Sequence, residues 1–163
     1  MIGKLPMRRK GERGLTLVEL IVTVAILAIL AGGAAPIARY KIKRDKEREL
    51  RYYLWTMRDA IDKYKELADS GKFRTAVGTE NYPPDLDTLV KGVKLGSVAN
   101  NHVLRFLRKI PVDPMTGKAD WGLRCVGDDA DAKSWCGKNI YEVYSNSTAQ
   151  ASDGTNYSDS THW

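Results

Sequence analysis

The sequence predicts an α+β chain. One long N-terminal α-helix, apolar in its first half and amphipathic in its second, packs on a small C-terminal domain with a short antiparallel sheet and long loops. Three observations predict it. Leu15 to Ala38 is an apolar run of 24 residues with a single charge, Glu19. From Arg39 to Asp69 the chain is polar and helical in spacing, with no Gly or Pro. Beyond Ser70, Pro- and Gly-containing turns separate short stretches of alternating β-formers.

The charge follows the same division. The 163 residues hold 26 basic and 20 acidic groups, a formal net charge of +6. Lys4, Arg8, Arg9, Lys10 and Arg13 face only Glu12 in the first 14 residues, and residues 39–51 hold seven basic groups against three acidic. The remainder is nearly neutral. Two basic blocks flanking an apolar run describe a membrane-anchored chain; a nucleic-acid binder carries its charge as a patch on the folded domain. Nucleic acid is not expected as a partner.

A helix of about 20 residues spans the hydrocarbon core of a bilayer, at about 1.5 Å per residue. Three readings fit the run: a transmembrane helix, a buried core helix, or a secretory signal cleaved after Ala31 to Ala35. The run exceeds the usual signal length of about 7–15 apolar residues. It also contains Glu19, and a carboxylate within a membrane segment calls for a partner and a function. Gly32, Gly33 and Pro36 weaken the helix midway, since Pro removes a backbone donor and clashes with the preceding turn.

Lys10-Gly11-Glu12-Arg13-Gly14 meets Leu15-Thr16-Leu17-Val18-Glu19-Leu20 without transition. This junction resembles the prepilin cleavage and methylation signal of type IV pilins and type II secretion pseudopilins. Members have a short basic leader ending in Gly, then an apolar helix with Glu as its fifth mature residue. The resemblance implies cleavage between Gly14 and Leu15, N-methylation of Leu15, and assembly roles for Glu19 and Pro36. Leu15 stands where members mostly have Phe. The implied partner of the Glu19 carboxylate is the new α-amine of a neighbouring subunit. That pair would set the register of a filament, because a wrong stagger leaves a buried charge alone.

Past the run, Leu50, Tyr53/Leu54, Met57, Ala60/Ile61, Tyr64 and Leu67/Ala68 recur at helical spacing and mark a core-facing stripe. Asp69-Ser70-Gly71 stops the helix. Unbroken from Leu15 to Asp69 it would be about 80 Å long. A short helix is expected over 85–90 with Asp85 as N-cap. Pro111-Val112-Asp113-Pro114 ends an apolar-basic stretch, and 121–126 and 139–144 read as strands. The stretches AIDKYKELADSGKF, YPPDLDTLVKG and RFLRKIPVDPMTGKADWGL resemble the major pseudopilins, the general secretion pathway protein G family of the type IV pilin-like superfamily. Met115-Thr116-Gly117 and the 125–136 insertion depart from that pattern.

Cys125 and Cys136 enclose ten residues. They are either two thiols or a bridge, which an oxidising compartment permits. Zinc is not indicated, since no further Cys or His pair completes a site. The loop Ser152 to Asp159 offers Asp153, Asp159, Asn156 and several carbonyls. The resemblance implies calcium there, held by Asp153 and Asp159; the alternative is a solvated Asp-Gly turn. No nucleophile–base pair, phosphate loop or metallohydrolase helix is present, so an enzyme is not expected.

The resemblance implies a leader at 1–14, a transmembrane and polymerisation helix at 15–38, its amphipathic half at 39–69, and a periplasmic globular domain at 70–163. It implies a single-pass subunit of the bacterial inner membrane that polymerises with itself into a filament driving type II protein export. Its implied partners are a prepilin peptidase, minor pseudopilins and an inner-membrane assembly platform. A pilin of a surface type IV pilus and a signal-anchored periplasmic binding protein that never polymerises are the alternatives.

Overall fold

The computed structural model describes residues 14–96, 102–160 and 162–163, with the backbone alone for residues 33–38. Helix α1 runs Leu17–Asp69. It begins two residues later than the sequence suggests because Thr16 takes the N-cap: its Oγ1 accepts the amide of Glu19 at 3.2 Å. Thr16-Leu17-Val18-Glu19 has the sequence of a capping box, and the carboxylate of Glu19 sits in the first turn, where the helix dipole favours negative charge.

The described residues divide into two compact units, one up to residue 41 and one from residue 42 onward. In the first, large apolar side chains from Leu15 to Leu30 are exposed, ranging from 50 % at Val22 to 76 % at Ile29. They point in all directions around the helix, so no single face separates apolar from polar. Among the described residues, no helix is long and apolar enough to cross a membrane. The span expected over 15–38 runs into residues 33–38, whose side chains, that of Pro36 included, lie outside the described residues.

In the second unit α1 is one-sided. Leu50, Leu54, Met57, Ala60, Ile61, Tyr64 and Ala68 are buried, whereas Tyr52 and Trp55 are exposed. The buried stripe meets Leu86, Leu89, Leu107, Trp121, Ile140, Val143, Tyr157 and Trp163 in one core. Helix α1 stops where expected. Gly71 at φ 70° lets its amide reach Ala68 O at 2.9 Å and the Lys72 amide reach Leu67 O at 3.1 Å, capping the last carbonyls. Asp69 is held by Lys65 and by Asn81 Nδ2.

Helix α2, Leu86–Lys91, starts at Asp85, whose carboxylate accepts the Thr88 amide at 2.6 Å. Strand β1 (Val93–Lys94) pairs antiparallel with β2 (Val103–Leu104), and β3 (Trp121–Arg124) with β4 (Glu142–Ser145). The expected single sheet is therefore two separate two-stranded sheets. Nothing in the sequence marks β1 or β2, because two residues are too few to alternate. The strand expected over 139–144 begins later. The Asn139 side chain accepts the Val126 amide and the Ile140 amide donates to Pro83 O, so both are drawn to loop partners. Gly122 lies opposite Tyr144, and a Cβ there would fall 2.2 Å from the tyrosine ring.

The Pro111–Pro114 turn is fixed by Asp113, which is fully buried. Its carboxylate accepts the Met115 amide at 2.7 Å and the Ser145 hydroxyl at 2.6 Å, tying the turn to β4. Trp121 Nε1 donates to Pro111 O at 2.9 Å. Leu54→Ala is expected to lower unfolding free energy by about 2–5 kcal/mol. Trp55→Ala, one position along but exposed, should change it by less than about 0.5 kcal/mol. Urea titration of the full chain in detergent micelles, followed by circular dichroism, measures both.

Candidate functional site

Gly14 and Leu15 precede α1 and both are exposed. Glu19 is exposed as well, among Leu15, Val18, Leu20 and Val22, which offer it no donor. Its amide is taken by Thr16, but among the described residues its carboxylate has no hydrogen-bond or ion-pair partner. One chain thus presents a lone carboxylate on an apolar surface, where excluding water is costly unless the group meets a cation or takes up a proton. Residues 1–13 of the expected leader lie outside the described residues.

A second constellation lies in the unit from residue 42 onward. Glu47 on α1 is only 7 % exposed. One of its oxygens, Oε1, accepts the Ser152 amide at 2.9 Å, the Ser152 hydroxyl at 2.8 Å and the Tyr157 hydroxyl at 2.9 Å. Burial alone would raise the pKa of this carboxyl. The donors from Ser152 and Tyr157, with Lys43 nearby, outweigh it and hold the pKa below the ordinary glutamate value. Burial and the bond to Glu47 push the Tyr157 hydroxyl up to about 12. Further along the helix, Arg58 Nε donates to Glu142 at 2.7 Å, and its other nitrogens donate to the main-chain oxygens of Val143, Ser160 and Trp163. The Arg51 guanidinium stacks on the Trp163 ring, 4.5 Å from its centroid.

Asp153 and Asp159, the expected calcium ligands, both lie in the loop that follows Ser152, and Asp153 is engaged by its neighbours. Asp153 Oδ1 accepts the Thr155 amide at 3.0 Å and the Thr155 hydroxyl at 2.6 Å, and Oδ2 lies 3.0 Å from His162 Nε2. These bonds hold its pKa well below the usual carboxylate range, the Thr155 hydroxyl contributing most. Asp159 lines a groove of about 610 Å³ with Arg124, Asp131, Lys133 and Tyr144, and Asp153 does not line it. Calcium requires six to eight oxygens. Among the described residues, the one group of three His, Cys, Asp or Glu ligand atoms within 4.8 Å of one another is Cys125, Asp128 and Cys136. That group cannot bind through sulfur, because Cys125 and Cys136 are joined in a disulfide with Cα atoms 6.0 Å apart.

The ring closed by the disulfide is tied inward. Asp128 accepts the Cys125 amide at 2.7 Å, and Trp135 Nε1 donates to Asn139 O at 2.6 Å. Arg124 of β3, 5 % exposed, donates to Ala132 O at 2.8 Å inside the ring and to the Ser160 hydroxyl outside it. Its guanidinium also covers Tyr144, 4.3 Å from the ring centroid.

Sequence reasoning singles out the helix start and the cysteines but passes over Glu47, Arg58 and Arg124. A usable signal existed for two of them. Glu47, Leu50, Leu54, Arg58 and Ile61 follow three- and four-residue steps, so Glu47 and Arg58 continue the apolar stripe and are placed against the domain. Nothing local marks Arg124, whose partners lie in separate loops.

Two outcomes follow from this geometry. The bonds to Glu47 need the ionised carboxylate, whose pKa is depressed by folding. Wild type should exceed Glu47→Gln in stability by a constant amount above the unfolded-state value of 4.5, and that excess should fade as pH drops through the lower folded-state value. At the alkaline end the Tyr157 contribution is complete below its ordinary value of 10.0 and disappears as pH rises through about 12. Chemical unfolding across a pH series reads both limits. Replacing both cysteines by Ser should cost about 3 kcal/mol, since the bridge closes a short loop in the unfolded chain; denaturant midpoints of the two proteins check it.

Comparison with known proteins returns one family model, the prokaryotic N-terminal methylation motif, over residues 9–35. No curated protein and no solved structure matches the chain. The matched segment holds Gly14, Leu15 and Glu19, the exposed junction and lone carboxylate described above. The motif implies processing by a prepilin peptidase, a membrane-anchored N-terminus and pilin-like assembly, and it points to a structural protein rather than an enzyme. The α+β architecture is consistent with that assignment, and the chain carries the prepilin-type signal of type IV pilin-like proteins.

Proposed function

We propose that the protein is a pseudopilin, a structural subunit that polymerises into a periplasmic filament driving protein export by type II secretion. The observation that carries this reading is the methylation motif lying across a helix start whose apolar side chains are exposed all round. Such a surface is unstable in water and needs lipid before assembly and neighbouring helices after it. A prepilin peptidase removes residues 1–14. Residues 15–38 anchor the subunit in the inner membrane, where an assembly platform and minor pseudopilins receive it, and the unit beyond residue 42 lies in the periplasm.

In the filament, the Glu19 carboxylate pairs with the amine of Leu15 on a neighbour. Thr16 supports that role: by capping α1 it fixes the first helical turn, which carries Glu19. Choice of a secretion filament over a surface pilus rests on the resemblance of 82–92 and 105–123 to major pseudopilins. The buried Asp113 gives that likeness a physical basis, because it locks the Ile-Pro-x-Asp-Pro turn to β4.

N-terminal sequencing of protein recovered from the membranes of its own bacterium should begin at Leu15; an intact leader would sink the proposal. Glu19→Ala should be cleaved normally yet yield no filaments, and normal assembly of that variant would remove the register role. Deleting the gene should block export across the outer membrane. Intact export with loss of surface filaments would favour the pilus instead.

A further inference from the structure

We propose that α1 carries a second seam, on the side away from its core-facing stripe, by which it packs against the same helix of a second copy of this chain, parallel to it and shifted along the axis. The inference deepens the proposed filament and rests on it, because copies rising from one membrane are held parallel.

Arg48, Tyr52, Trp55, Asp59, Asp62 and Glu66 follow one another in alternating steps of four and three residues, the repeat by which two helices pack. The core stripe of Leu50, Leu54, Met57 and Ile61 occupies the other side of the helix. On the seam, Tyr52 and Trp55 are 62 % and 64 % exposed. Asp62 and Glu66 are exposed as well, and Arg48 keeps 73 % of its side chain in water. The ion pairs made here are local ones, Arg48 with Asp45 at 3.5 Å and Asp59 with Lys63 at 2.6 Å. Exposed pairs of this kind contribute little, so they are easily exchanged for better ones. Two large aromatic rings side by side on a solvated helix face are the kind of group that protein interfaces collect.

The order along the seam identifies what covers it. It runs from basic at Arg48, through the aromatic pair, to acidic at Asp59, Asp62 and Glu66. A parallel copy in register would set arginine on arginine and acid on acid, which is unfavourable. A copy shifted by about 14 residues, or about 21 Å along the axis, sets Arg48 of one chain beside Asp62 of the next. The same shift brings the Tyr52 hydroxyl to the Glu66 carboxylate. Trp55 of each copy then flanks the charged pair, about two turns away on either side, and limits its access to water. The contact is heterologous: one copy uses its acidic end and keeps its basic end for another, so the arrangement propagates instead of closing. An antiparallel pair centred on Trp55 would match the same charges, but it stops at two copies and two anchors in one membrane do not allow it.

Cysteine crosslinking of the full chain in the membranes of its own bacterium tests the seam, and Cys125 and Cys136 do not interfere because they are already paired. Asp45→Cys with Asp59→Cys spans the same shift and keeps Arg48, the aromatic pair and Asp62 in place. On oxidation it should give a ladder of dimers, trimers and higher species. Trp55→Cys should give no dimer. Monomers or dimers alone in the first variant, or a crosslink through position 55, would overturn the inference. Asp62→Arg should keep the wild-type unfolding midpoint and lose filaments, and adding Arg48→Asp to it should restore them. Wild-type filaments that survive Asp62→Arg defeat the seam alone. A wild-type chain that keeps its leader or forms no filament defeats the proposed function and the seam together.

Discussion

Burial of one stripe of α1 is the constraint on which the unit from residue 42 onward rests. Leu50, Leu54, Met57 and Ile61 are each fully withdrawn from water, and most other buried apolar residues of that unit touch the cluster they seed. Two-stranded sheets of two and four residues cannot stand by themselves. Strands β3 and β4 persist because Trp121 and Val143 are pressed into the same cluster. The helix is therefore the organising surface, and the strands and loops are fitted to it.

Around that stripe, charges do what extended secondary structure does elsewhere. Much of the chain beyond α2 is loop, and its backbone groups need partners where it is buried. Glu47, Arg58 and Arg124 provide some of them: Glu47 holds two points of the terminal segment, and each arginine reaches two segments. These residues sit between the fully exposed charges of the helix and the apolar core. There a hydrogen bond is stronger than in water, and the long side chains of arginine also cover apolar surface.

The helix and the start signal were legible because their information is local. Three- and four-residue spacing marks the stripe, Asp69-Ser70-Gly71 marks the stop, and Asp85 marks the cap of α2. The spacing of Gly14 and Glu19 does the same for the processing signal. The C-terminal region was legible only in outline. Its strands are too short for periodicity, and its fasteners link residues about 30 to more than 100 positions apart. The acids of 152–159 illustrate the limit. Spacing does not show that Asp153 accepts from Thr155 and lies beside His162, or that Ser152 and Tyr157 bond to a glutamate far upstream. Thr16 is the opposite case: a capping pattern in plain view, overshadowed by the processing signal it overlaps.

Arg124 touches both Ala132, inside the ring closed by Cys125 and Cys136, and Ser160 in the terminal segment. It stands on a strand directly beside the first cysteine. With the Tyr144 ring beneath its guanidinium, this one side chain joins the disulfide-closed loop, strand β4 and the terminal segment, three stretches far apart in the chain.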